Sequence, residues 1–222
     1  MSSNNRPLIC LCQLNLSELP NISELPKSGI LQFFVVDGEW DSTGAGPNVK
    51  VIHHTDIVNN DEMLTEIPRS TCSGKENDYP IEGVYFPTAK LEKMPITIAD
   101  YKIHETPVGI FNKIFDVNMK EGSAAWNIDK YSTNPKKVDE LFWTYFTGKG
   151  SDYAGCRVCG HPYFTQYDIR EANPSFDTLL LQLDSEAGMM WGDCGVANFF
   201  ISKSNLSNEK FENNVFYTWD CC

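Results

Sequence analysis

The chain has 222 residues, enough for one domain of ordinary size with a substantial hydrophobic core. Hydrophobic residues make up 41% of it and charged residues 22%, a composition that excludes disordered and collagen-like proteins. With 18 Lys and Arg against 30 Asp and Glu, the net charge is −12. Nucleic acids and anionic lipids are bound mainly by clustered cations, so we expect no nucleic acid and no membrane as partners.

The sequence predicts a cytoplasmic protein. No apolar run approaches the roughly 18 residues that a membrane span needs, and the short apolar stretch at 8–12 lacks the cleavage site of a secretion signal. Thiols stay reduced in the cytoplasm. We therefore expect the eight cysteines to be buried hydrophobic residues, metal ligands or reactive groups rather than disulfides.

The most informative feature of the sequence is an internal echo. Residues 10–15 read Cys-Leu-Cys-Gln-Leu-Asn, and residues 179–184 read Leu-Leu-Leu-Gln-Leu-Asp. Each string is followed by a second matching one, Ser-Gly-Ile-Leu-Gln-Phe-Phe-Val at 28–35 and Cys-Gly-Val-Ala-Asn-Phe-Phe-Ile at 194–201. Strings of this length, rich in β-branched and aromatic residues, are typical of strands.

A third pair of predicted strands begins at Val49 and Val215, at the same distance from the preceding strings. Two matching strings with a matched spacing to a third favour the duplication of a three-strand unit. The alternative is two unrelated β-meanders of similar composition. We expect a single domain over 1–222, with repeated units at about 8–54 and 155–220 and an intervening region at 55–154.

One helix in the intervening region has clear end signals. Asn134 is a good N-cap, and Pro135 suits the first helical position. Gly148 or Gly150 suits the end. The helix is expected to pack one apolar face on a sheet, a face made of Val138, Leu141, Phe142 and Tyr145.

Two short strands are also predicted in the intervening region, at 83–86 and 96–98. Neighbouring prolines confine such strands to sheet edges or short pieces. Together with the repeated units, these elements predict an α+β fold that is mostly antiparallel and internally duplicated, with a few short helices packed on the sheets.

Several longer strings cover nearly the whole chain and are strongest at its ends: residues 13–20, 25–34, 162–166, 180–185, 190–193 and 219–221. In these strings the chain resembles the YwqG-like proteins, a bacterial-type family of uncharacterised function. The resemblance implies an α+β, mostly antiparallel duplicated fold; it implies no reaction and no catalytic residue. That family's Gly-Gly-x-Pro string appears ahead of the second unit as Cys-Gly-His-Pro at 159–162, and its first copy is expected to be absent.

Cys156, Cys159 and His161 form the sharpest candidate metal site, because a C-x-x-C turn can place two thiolates on one zinc ion. A structural zinc site needs a fourth ligand, which only Cys72 or Cys194 could supply. The alternative is that Cys156 and Cys159 are structural thiols.

Polar residues near the end of the chain are candidates for acid–base chemistry. Asp184, Asp193 and Asp220 could converge beside Gln182 and Trp191, and a hydrolase would use Gln182, Asp184 and Asp193 in a cleft near Trp191. In the alternative, Asp193 bonds the backbone of its own turn, and Gln13 and Gln182, at equivalent places in the echo, satisfy buried backbone groups across the pseudo-symmetry axis. Gln166 is a further candidate for binding.

The sequence contains no nucleotide-binding loop and no serine-hydrolase motif, so we expect no cofactor. The first functional hypothesis is a non-enzymatic binding or protein-interaction module, with a groove between its two similar halves that takes a protein partner or a small ligand. The alternatives are the hydrolase and the zinc-stabilised domain. The strand at 10–15 is expected to be an open sheet edge that supports self-association or partner binding, or to be covered by residues 55–134.

Overall fold

The computed structural model describes residues 6–38, 40–58, 60–64, 79–81, 83–97, 99–147 and 155–222. In chain order its strands are β1 (Leu8–Asn15), β2 (Ile30–Val36), β3 (Gly44–Ala45), β4 (Val49–His54), β5 (Arg157–Val158), β6 (Thr178–Asp184), β7 (Val196–Ile201) and β8 (Val215–Asp220). They form one sheet of three strands, in the order β1-β2-β4, and one of five, in the order β3-β8-β7-β6-β5. All the pairings between these strands are antiparallel.

The three strands of the first sheet and the last three strands of the chain pair in the same way. The central strand lies between the other two in both sets, and the residues that face one another correspond throughout. Each set has a bulge at the same place in its first strand. The equivalent pairs include Ile30–His54 and Val196–Asp220, and the equivalent bulges lie at Leu11 and Leu180.

The two sheets pack face to face around one hydrophobic core. Phe33 of β2 and Phe199 of β7, which are equivalent positions, meet edge to face with ring centroids 5.2 Å apart. The groove that the sequence predicted between the two halves is therefore filled by core side chains in the part of the chain that the structure describes. Other core residues of this interface are Leu14, Leu31, Val35, Val51, Leu181, Leu183, Ala197, Ile201 and Tyr217.

Each unit also sends a loop onto the other. Trp40, between β2 and β3, packs on Trp191 and Trp219, with ring centroids 5.8 and 4.9 Å away. In the other direction, Phe211 lies beyond the short helix α3 (Lys203–Ser207) and packs on His53 of β4, with ring centroids 5.5 Å apart. Neither unit therefore completes its core without the other.

Two longer helices lie in the intervening region, α1 (Val108–Phe115) and α2 (Pro135–Thr147). The predicted start of α2 is confirmed, since Asn134 accepts from the backbone N–H of Lys137 at 3.3 Å. The predicted end at Gly148 or Gly150 lies outside the described residues, as does the side chain of Tyr145.

The predicted packing of α2 needs a correction. Val138 and Phe142 are buried, but they pack on α1 and neighbouring 3-10 turns in a separate hydrophobic cluster, not on a sheet. Leu141 is 44% exposed and does not belong to the apolar face. Tyr163, in a segment that covers the five-stranded sheet, packs against this cluster.

The two strands predicted in the intervening region do not form. Residues 83–86 make no ladder, and the side chains of Val84 and Phe86 are 80% and 91% exposed. Ile96 and Thr97 are likewise outside any strand, and Ile98 lies outside the described residues. Prolines on either side remove the donors that a ladder would need. None of the described helices has the length and apolar character required to cross a membrane.

Candidate functional site

An extended segment covers the outer face of the five-stranded sheet. We call residues 155–166 the strap. It first adds β5 to the edge of β6, where Arg157 pairs with Gln182 and Val158 with Leu181. It then crosses the outer face of the sheet, so that β6 has both its edge and its outer face covered.

Side chains of the sheet hold the strap by its backbone. Gln182 accepts from the N–H of Tyr163 at 2.7 Å and donates to the carbonyl of Gly155 at 2.8 Å. Asn198 donates to the carbonyl of Tyr163 at 3.0 Å. Both side chains are completely buried, and an amide side chain can satisfy peptide groups that water no longer reaches.

Asp220 holds the next turn of the strap. Its Oδ2 accepts from the backbone N–H groups of Thr165 and Gln166, each at 2.8 Å. Burial raises the pKa of Asp220 above its ordinary value, although the N–H donors oppose that shift. Gln182, Asn198 and Asp220 are called the clamp residues below.

The far side of the strap is anchored by a buried charged network. His161 Nδ1 lies 2.9 Å from Asp100 Oδ2, and Arg170 Nη2 donates to both Asp100 and Asp168 at 2.6 Å. Burial by itself raises the pKa of Asp100, but the His161 hydrogen bond and the Arg170 charge outweigh it, so that the carboxyl pKa lies below its ordinary value. Thr97 also donates to the carbonyl of Pro162 at 2.8 Å.

The equivalent face of the three-stranded sheet is more open. Gln13, Gln32 and His54 occupy the places of the three clamp residues, and we call them the open row. Gln32 Nε2 donates to Gln13 Oε1 at 2.7 Å, and His54 Nε2 lies 2.9 Å from Gln32 Oε1. Gln13 and His54 are exposed and Gln32 is half-buried.

The edge beside the open row is also unpaired in the described residues, because β1 is the terminal strand of its sheet. The N–H of Leu16 donates to the carbonyl of Gly29 at 3.0 Å. Bonded pairs alternate along an antiparallel ladder, so the backbone groups of Gln13 and Asn15 point away from β2. Of the two outcomes expected for this strand, the described chain thus has the open edge, and the described part of 55–134 adds no strand to it.

Two of the candidate hydrolase residues, Gln182 and Asp184, hold the backbone of the strap, and the third does not. Asp184 accepts from the backbone N–H groups of Gly155 and Ser185. Asp193 is exposed, and its side chain makes no hydrogen bond within the described residues. Asp193 therefore does not close the predicted Asx turn. The turn at 191–195 is held instead by the hydroxyl of Ser185, which accepts from Trp191 N–H at 2.8 Å and donates to the Gly195 carbonyl at 2.7 Å.

Two further predicted binding residues differ in accessibility. Trp191 has no exposed surface and packs in the shared core, so no ligand can reach it in this structure. Gln166 is exposed, and its side chain donates to the carbonyl of Cys221 at 2.6 Å.

The candidate zinc ligands point to different surroundings. Cys159 lies in the shared core, where burial raises the pKa of its thiol to about 12. His161 is held by Asp100, and Cys72 lies outside the described residues. Within the described ranges, no group of three His, Cys, Asp or Glu is placed to hold a metal ion.

A small cavity lies in the loop that follows β1. Its volume is about 240 Å³, below the roughly 300–1,000 Å³ that is usual for ligand pockets. It is lined by residues 16–27, within the first unit, including Leu16, Pro20 and Lys27. The cavity in this loop is therefore smaller than an ordinary small-ligand site.

A protein-family model matches almost the whole chain. The family model described as Domain of unknown function (DUF1963) matches residues 1–221. The chain belongs to the DUF1963 family. No curated protein gives a significant match. The DUF1963 match covers both sheets and the intervening region, and it assigns no reaction.

The sequence singles out Asp220 as a candidate carboxylate, but it gives no role to several other residues of this DUF1963 domain that hold the strap. Asn198 stands at the same place in the echo as Gln32, so a comparison of the two units by position would have found it. Asp100 and Arg170 gave no such signal. They are far apart in the sequence and meet only because the chain folds back over the strap.

Proposed function

We propose that this DUF1963 protein is a non-enzymatic interaction module that binds a strand of another polypeptide along the open edge of β1. The polypeptide is a second copy of this chain or a protein partner. One observation carries the proposal: the equivalent strand β6 has its edge covered by β5, whereas β1 has no such neighbour in the described residues.

An open strand edge is a template for pairing. Its outward N–H and C=O groups can accept a further strand, and proteins relieve such edges by covering them or pairing them with another chain. Gln182, Asp184 and Asp220 are engaged with the backbone of the strap, and Asp193 does not converge with them on it. This engagement favours the binding module over the hydrolase alternative.

We also propose that the chain is a YwqG-like protein of the cytoplasm, as its sequence indicates. The strings shared with YwqG-like proteins lie in β1, β2, the strap, β6, the turn before β7 and the end of β8. The cysteines within the described ranges are free thiols, which supports a reducing compartment such as the cytoplasm. A duplicated three-strand unit makes β1 and β6 equivalent strands, and β5 covers only the second of them in the described residues.

The test uses two substitutions at one position. The backbone of Asn15 has φ −82°, close to the value that proline requires, and its N–H points away from β2. Asn15→Pro removes that N–H, and Asn15→Ala keeps it. Both variants lose the side-chain cap that Asn15 gives to Ser17 N–H, so the cap does not distinguish them.

Light scattering coupled to size exclusion over a range of concentrations, with affinity capture from native lysate, is the measurement. Wild type and Asn15→Ala should associate with a second copy or retain the same partner, and Asn15→Pro should lose that association. A strict monomer that retains no partner would refute the proposal. So would an association that Asn15→Pro leaves intact.

A further inference from the structure

The inference concerns the outer face of the three-stranded sheet and rests on the proposed function at β1. On the five-stranded sheet, one continuous segment both pairs with the edge of β6 and crosses the outer face over the clamp residues. The open row presents the same amide chemistry at the same positions. A strand paired with β1 would leave along the same path.

The open row can exchange its internal bonds for bonds to a peptide. Gln13 and Gln32 each carry an amide donor and acceptor, the pair of groups by which Gln182 and Asn198 hold the N–H and carbonyl of Tyr163. Because Gln13 is exposed and Gln32 half-buried, a docked segment would bury them as the strap buries their counterparts.

Apolar side chains beside the open row are also less covered than their counterparts. Phe34 and Ile52 are half-buried, whereas Phe200, the equivalent of Phe34, has no exposed surface. A segment that covers Phe34 and Ile52 removes apolar surface from water, which favours docking.

At one end of the open row, a hydrogen-bond acceptor is replaced by a donor. Where Asp220 offers a carboxylate to two N–H groups, the open row has His54, whose ring donates to Gln32. Lys50 lies farther along the same face of β4, beyond Ile52, where it pairs with Glu212 at 2.6 Å and remains 33% exposed. A ring N–H that is released from Gln32 can donate to a carboxylate, so this end favours an acidic side chain and does not reproduce the bonds to two N–H groups.

We propose that the open row binds an extended polypeptide segment that is paired with β1, and that this segment carries an acidic residue at the position that Thr165 holds in the strap. The partner is thus a strap-like peptide with a carboxylate opposite His54. The backbone supplies the bonds to Gln13 and Gln32, and the acidic residue supplies the preference for this sheet.

The probes are three synthetic peptides of residues 155–166, with both cysteines replaced by serine: the native strap, Thr165→Glu and Thr165→Gln. The last two have the same size and differ in charge. Each is titrated into the full-length protein while the side-chain amide resonances of Gln13 and Gln32 are followed by NMR. The protein variants are Gln13→Ala and, as a matched control on the other sheet, the exposed Gln166→Ala.

The Thr165→Glu peptide should shift both amide resonances and bind about three-fold tighter than Thr165→Gln. Gln13→Ala should weaken it by about five-fold, because a peptide hydrogen bond is lost, and Gln166→Ala should leave the affinity unchanged. Equal affinities of the two peptides, binding that Gln13→Ala does not weaken, or saturation without a shift at Gln13 and Gln32 would each overturn the inference.

The same experiment keeps this inference separate from the proposed function. Absence of peptide binding at millimolar concentration overturns the open row as a site, whatever the state of β1. If Asn15→Pro abolishes association while the peptides fail in these ways, the edge binds a strand and the open row takes no part. If the peptides bind the open row as expected and wild type is still a monomer without a partner, the face recognises a segment that does not pair with β1, and the combined proposal is wrong.

Discussion

Gly29 and Gly195 stand at equivalent places, each directly before the central strand of its set. At both, the backbone carbonyl of the third strand comes too close for a side chain. A Cβ on Gly29 would lie 2.5 Å from the carbonyl oxygen of His54, and one on Gly195 would overlap that of Asp220. The glycines in the echo are thus required by the approach of the strands.

The first prediction follows from this contact. Gly195→Ala should lower the free energy of unfolding by about 3 kcal/mol, because rigid backbone must shift to admit the methyl group. Gly109→Ala is the control, since a Cβ at Gly109 in α1 meets nothing within 4 Å; it should be neutral or stabilise by about 0.5–1 kcal/mol. Urea denaturation measures both, and equal effects would contradict the contact.

The buried network under the strap gives a second prediction. Asp100→Asn should lower the free energy of unfolding by about 3 kcal/mol at pH 7, because the buried guanidinium of Arg170 then loses one of its two carboxylate partners. The carboxyl pKa of Asp100 is lower in the folded protein than its ordinary 3.8. Its ionisation therefore stabilises the fold above that pH, and this contribution is lost as the pH falls below it.

Urea denaturation over a pH series checks both parts of that prediction. Wild type should lose stability below about pH 4 more steeply than Asp100→Asn does. Asp116→Asn, at an exposed carboxyl after the end of α1, provides the control. A wild type and an Asp100→Asn variant with parallel pH profiles would show that Asp100 titrates alike in the folded and unfolded chain.

Among the elements, the strap and its clamp residues distinguish the two sheets, and the third prediction compares them. Gln182→Ala should cost about 2–4 kcal/mol, because Tyr163 N–H and the Gly155 carbonyl lose their partner in a buried site. Gln13→Ala, at the equivalent place in the open row, should cost less than about 0.5 kcal/mol.

Hydrogen exchange provides the local readout for the same pair of variants. Protection of the Tyr163 amide should fall in Gln182→Ala and stay unchanged in Gln13→Ala, because only the first side chain accepts that bond. Protection that survives in Gln182→Ala would mean that the strap is held mainly by Asp220 and the Asp100 network.

The strands that the sequence predicted in the two units all form, because alternation and spacing are local properties that each strand carries in its own residues. The start of α2 could be read for the same reason. The predictions of a strand at 83–86 and of a buried Leu141 were wrong. Both depend on tertiary contacts, because packing decides which apolar stretch is buried. Likewise, the echo revealed Gln13 and Gln182, but not that one is exposed and the other buried.

On the scale of the whole molecule, the two sheets share one core and exchange their loops, and their outer faces differ. The inner faces meet at Phe33 and Phe199, and Trp40 and Phe211 reach across in opposite directions. The helical cluster lies beyond the strap, on the side of the five-stranded sheet. Binding through the three-stranded sheet would therefore leave the shared core and the helices undisturbed.

The difference between the clamp residues and the open row has a consequence for how such a molecule can vary. A symmetric homodimer of identical subunits must present every surface twice, so a change that seals one outer face seals the other. Joining two similar units in one chain removes that constraint. Here one unit carries Asn198 and Asp220 beneath a covering segment, and the other carries Gln32 and His54 in the open. Substitutions at the proposed partner site of one half can thus occur without loss of the contacts that hold the covering segment on the other half.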